Sequence, residues 1–75
     1  MRFRIRINLE LLRENVSKAD GRVWSDAEVL QWLHDAGFTR AGDWWIVQEA
    51  NLGQLEPEEV IAAEDADSTW RANGD

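Results

Sequence analysis

Trp44 and Trp45 stand side by side in the run Asp43-Trp44-Trp45-Ile46-Val47, and this pair constrains the fold more than any other feature. The run has the aromatic and β-branched composition of a strand. Successive strand residues point to opposite faces of a sheet, so one indole is directed to each face. A strand that is apolar on both faces is usually covered on both. With 75 residues in all, the chain has material for one domain and little for a second covering layer. One of the two tryptophans is therefore a candidate for a surface that another molecule covers.

A chain of this size buries only ~60% of its unfolded surface and commonly relies on disulfides, metal or association. There is no cysteine, and His34 is the single histidine. Disulfides and thiolate zinc sites are excluded, and an imidazole-rich metal site cannot form within one chain. Dense aromatic packing and self-association remain. Five tryptophans, at positions 24, 32, 44, 45 and 70, suit either, since each can bury ~200 Å². No metal and no cofactor is expected.

Net charge is −7, and it is unevenly spread: residues 1–24 carry +3, residues 25–48 carry −3, and residues 49–75 carry −7. A basic start and an acidic end read first as two ends that lie close and partly neutralise each other. They read second as an acidic surface that repels or mimics nucleic acid. The opening Met1-Arg2-Phe3-Arg4 contains no apolar run like a signal-peptide core, and no stretch approaches the ~18 apolar residues of a membrane span. The expected compartment is the cytoplasm, without membrane contact.

Residues 1–7 alternate, with Phe3, Ile5 and Ile7 on one face and Arg2, Arg4 and Arg6 on the other, which predicts a half-buried strand. Asn8 is placed to cap a helix whose stripe is Leu9, Leu12, Val16 and Ala19. Leu11 falls about 100° off that stripe and is a candidate contact with a neighbour. Ser25-Asp26-Ala27-Glu28 is a capping box, with Trp24 and Val29 arranged as a hydrophobic staple. Gly37 suits a left-handed stop with Leu33 and Phe38 meeting across it. A helix is expected over 26–36. Phe38 to Gln48 predicts a hairpin or bent strand turning at Ala41-Gly42-Asp43. Pro57, Glu58 and Glu59 suit a helix start, and a short third helix is expected over 57–64.

The fold class expected is α+β, a small two- or three-stranded sheet packed on a helix pair in the order β-α-α-β(β)-α. Residues 1–64 form the domain. Residues 65–75 are an acidic tail, disordered or docked through Trp70. The expected core is Phe3, Ile5, Ile7, Leu12, Val16, Val29, Leu30, Leu33, Phe38 and Ile46.

Two helices followed by a hairpin resemble the closing half of a winged-helix domain in element order, over about half the chain. The third helix of that fold is replaced by a strand. The helix placed to enter a groove carries Asp26, Glu28, Gln31 and Asp35 and no Lys or Arg. DNA binding draws its affinity from phosphate neutralisation, so this face is unsuited to it.

No arrangement for catalysis emerges. His34 lies beside Asp35 without a positioned nucleophile. Glu58-Glu59 and Glu64-Asp65 are adjacent pairs, which do not face each other on a helix. A calcium loop counted from Asp65 meets Trp70 where glycine is required. The chain is expected not to be an enzyme. Its candidate interface is Trp44, Trp45, Val47, Leu11 and Trp70, in a protein–protein interaction module that self-associates through the strand at 44–48 or takes another protein partner. Two alternatives stay open. One is nucleic-acid or anion binding by the Arg2, Arg4 and Arg6 row, whose members are ~7 Å apart along a strand. The other is an acidic decoy acting through residues 49–67.

Overall fold

The alternating opening segment becomes an interior strand of the sheet. The structure is a computed structural model and describes residues 1–66. Its elements are β1 (Arg2–Ile7), α1 (Leu9–Asp20), α2 (Asp26–Asp35), β2 (Thr39–Ala41), β3 (Trp44–Gln48) and β4 (Val60–Asp65), with 3₁₀ turns at Glu49–Gln54 and Pro57–Glu59. Among the described residues the strands form one antiparallel sheet in the order β2-β3-β1-β4. The α+β class is as expected.

Local chemistry sets both helices. Asn8 caps α1 by accepting the Leu11 N–H through Oδ1 at 3.1 Å. Gly21 closes it at φ 73°, donating its N–H to the Ser17 carbonyl at 2.9 Å. In α2 the Glu28 N–H donates to Ser25 Oγ at 3.2 Å and the Ser25 N–H donates to Glu28 Oε1 at 3.0 Å. This is the reciprocal capping box, worth ~1 kcal/mol at the cap residue. The helix ends in a Schellman motif: Phe38 donates to Leu33 O at 2.9 Å and Gly37 to His34 O at 3.1 Å.

Ile5, Ile7, Trp45 and Val47 from the sheet join Leu12, Val29, Leu33 and Phe38 in one core, which Leu55 completes. Both helices thus lie on one face of the sheet. Trp45 is only 5% exposed. The core corrects the expectation for β3, where Ile46 was assigned inward. Phe3 pairs with Val47, Ile5 with Trp45, and Arg4 with Ile46. Residues directly opposite on neighbouring strands share a face. The inward parity of β1 therefore carries Trp45 and Val47 into the core and turns Ile46 outward, where it is half-buried.

The expected third helix is a strand. One 3₁₀ turn follows Pro57, and the chain then extends along β1 as β4. An eight-residue helix gains little by itself. Extension instead pairs the backbone of β1 on its second side and lets the β-branched Val60 pack against the core. β4 extends to Asp65, which pairs with Phe3, and Ala66 is buried. Trp70 and the rest of the tail at 67–75 lie outside the described residues.

The join between β4 and the body is polar. Glu59 is 3% exposed. Its Oε2 accepts the Asn15 side-chain amide at 2.8 Å, and its Oε1 accepts the Glu56 N–H at 2.7 Å. The Glu59 carbonyl accepts the Asn8 N–H at 2.8 Å. One residue so ties the start of α1 to the start of β4. Beyond it β4 carries a bulge: Arg6 pairs with Ala62 and Ile7 with Val60, leaving Ile61 unpaired and exposed.

Candidate interaction face

The second face of the sheet carries Arg2, Arg4 and Arg6 from β1, Trp44, Ile46 and Gln48 from β3, and Ala62 and Glu64 from β4, as the strand register requires. Among the described residues no helix packs on it. Trp44 is half-buried there while Trp45 is in the core. The adjacent indoles therefore divide as the strand period demands, one inward and one outward.

The arginine row and the outward tryptophan come together. The Arg4 guanidinium carbon lies 4.4 Å from the Trp44 ring centroid and that of Arg6 lies 5.4 Å away. Contacts of this kind are worth ~0.5–1 kcal/mol at exposed sites. Arg4 also donates from Nη2 to Glu64 Oε2 at 2.7 Å. The acidic end of the chain so neutralises part of the basic start, across paired strands. Among the described residues the Arg4 Nε is buried without a hydrogen-bond partner, which fits a side chain held against the indole rather than extended into solvent. The result is an aromatic centre flanked by positive groups in fixed orientation.

The other candidate positions separate. Trp45 and Val47 leave the interface set because the register turns both inward. Leu11 is half-buried on α1, beside a shallow depression lined by Asn8, Glu10 and Glu14. In the sheet β3 is flanked by β2 and β1, and its outward side chains are those of Trp44, Ile46 and Gln48.

On the helical side, Arg22 bridges two carboxylates: Nε lies 2.8 Å from Asp20 Oδ2 and Nη2 lies 2.7 Å from Glu28 Oε2. Its guanidinium carbon is 5.2 Å from the Trp24 ring centroid. The Arg22 hydrogen bond, with that of the Ser25 N–H, pulls the Glu28 carboxyl down to about 2. The tryptophan-flanking role of Arg22 escaped the sequence reading. The only signal was its place two residues before Trp24.

His34 is exposed, with Nδ1 3.7 Å from Asp35 Oδ1. No group of three or more His, Cys, Asp or Glu side chains is arranged to hold a metal among the described residues. No helix among them is long and apolar enough to cross a membrane. Comparisons with protein-family models, curated proteins and solved structures found no match.

Proposed function

We propose that this chain is a non-enzymatic protein–protein interaction module whose contact surface is the outward face of the sheet, centred on Trp44. One observation carries the reading: a half-buried indole, in contact with two guanidinium groups, on a face that no described helix covers. Tryptophan and arginine are the residues richest in interface hot spots. A side chain already held in place loses little freedom on binding.

The partner is an apolar segment with carboxylates rather than a second copy in symmetric contact. A two-fold contact presents the same patch on both sides, so it would set one arginine row against another. Phosphate binding by the row is the lesser reading. Arg4 is already paired with Glu64, and the chain carries −7 overall, which opposes a polyanion.

The test compares the wild type with Trp44→Ala and with a variant neutralised at Glu56, Glu58 and Glu64, all confirmed folded by circular dichroism. Proteins retained by immobilised wild type and lost specifically with Trp44→Ala support the reading. Loss with the neutralised variant alone would favour the acidic-decoy function. Retention of an oligonucleotide at low salt would favour the nucleic-acid alternative.

A further inference from the structure

We infer that the paired indoles of Trp24 and Trp32 form a second contact surface, which takes an arginine-bearing segment of a partner protein, and that Arg22 is its internal placeholder.

This surface lies on the helical side and is independent of the sheet face. Two shallow depressions of about 260 and 290 Å³ adjoin there, and Trp24 and Trp32 line both. Val16, Ala19 and Asp20 of α1 complete one; Glu28, Gln31 and Asp35 of α2 complete the other. Both indoles are half-buried. Each depression thus pairs an aromatic floor with a carboxylate rim.

Charge and geometry together indicate the occupant. An indole face attracts a cation, guanidinium above all, because the ring quadrupole is negative there. A carboxylate rim adds hydrogen-bond acceptors of the fork spacing that arginine presents. The molecule already shows this recognition within itself. Arg22 sits over Trp24 and reaches Asp20 and Glu28, while the Trp24 indole N–H donates to the same Asp20 carboxylate at 2.9 Å. Among the described residues the far end of the surface holds no such group. There Asp35 accepts the Gln31 amide at 3.0 Å and otherwise faces His34. A neutral amide does not offset the charge of Asp35 as a guanidinium would. A segment with an arginine over Trp32 and Asp35 would fill this second position, and its aliphatic residues would cover the groove beside Val16 and Ala19. A second arginine would compete with Arg22 for Trp24.

The probe is a blocked peptide of alternating arginine and leucine, with a glutamate–leucine peptide as control. The full chain is titrated at low salt and the indole N–H resonances are followed by ¹H–¹⁵N correlation. The expected result is saturable movement of the Trp24 and Trp32 signals, with Trp44 and Trp45 unmoved. Asp35→Asn is expected to weaken binding about threefold, the scale of one exposed charged contact. Arg22→Ala is expected to strengthen it by a similar factor, because the placeholder is gone. Unmoved Trp44 and Trp45 signals in both variants before titration establish that the fold is retained. Absence of saturation, an equal response to the glutamate peptide, movement centred on Trp44, or weaker binding by Arg22→Ala would each overturn the inference. None of these outcomes bears on the sheet face except the third, which would instead assign cation binding to Trp44.

Discussion

The Arg4 guanidinium lies 4.4 Å from the centre of the Trp44 ring, on the face of the sheet opposite the helices. The two residues are on neighbouring strands, and Arg4 sits opposite Ile46, one pleat from Trp44 on the same side. With Arg6 at 5.4 Å, the contact is one of two guanidinium contacts on this indole among the described residues. A double-mutant cycle on Arg4→Ala and Trp44→Ala, read by urea unfolding, is expected to show a coupling of about 0.5–1 kcal/mol. Strictly additive losses would mean that the contact is geometric only.

Glu59 and Glu58 are neighbours with opposite surroundings. Glu58 is exposed, while Glu59 is buried and accepts hydrogen bonds from Asn15 and Glu56. Glu59→Ala leaves both donors without their acceptor and is expected to destabilise the fold by about 2–3 kcal/mol. Glu58→Ala is expected to fall within about 0.5 kcal/mol of wild type. Equal effects in chemical unfolding would contradict the tie described between α1 and β4.

Acid stability carries the signature of Glu28. Its carboxyl is held at about 2, against an ordinary value of 4.5, first by the Arg22 hydrogen bond. A folded-state value below the unfolded one stabilises the protein above the unfolded value, and that gain is lost as pH falls through the folded value. Wild-type stability is therefore expected to drop between about pH 4.5 and about pH 2 more steeply than that of Glu28→Gln. Unfolding midpoints of both proteins at the two ends of that window provide the check.

Gly21 and Gly37 end the two helices with positive φ, 73° and 94°. An added Cβ meets nothing at Gly21, but at Gly37 it would lie 2.6 Å from Asn51 Nδ2. Gly21→Ala is expected to cost about 1 kcal/mol, the penalty of the left-handed conformation alone. Gly37→Ala is expected to cost more, because Asn51 must also move. Thermal unfolding of the pair would reveal the difference, and identical midpoints would count against the close approach.

What could be read from the chain beforehand follows the range of the interactions involved. The boundaries of α2 were legible because the Ser25–Glu28 box and the Gly37 stop act within a few residues. The alternation of residues 2–7 likewise specified β1 and its arginine face. The parity of β3 was not legible: Trp44, Trp45, Ile46 and Val47 are apolar on both sides, so only pairing with β1, about forty residues away, decides which face is inward. β4 was hidden for the same reason. Pro57 and the following glutamates begin a helical turn correctly, but the open side of β1 draws the next residues into extension. At the candidate face, the arginine row and an outward tryptophan were each legible, while their meeting required the register of β3 and the contact of Arg4 with Glu64 required that of β4.

The bulge at Ile61 has a bearing on how this molecule can meet others. At one border of the sheet, β2 is three residues long; at the other, β4 is kinked where Ile61 stands out of the ladder. Short or bulged borders accept an added strand poorly. For the proposed interaction, these borders favour contact through side chains on the faces over main-chain pairing. Main-chain pairing is tolerant of sequence, whereas indoles and guanidinium groups read shape and charge. In the proposed function, such a surface would select partners by their composition, and the same short and bulged borders disfavour edge-to-edge pairing between copies.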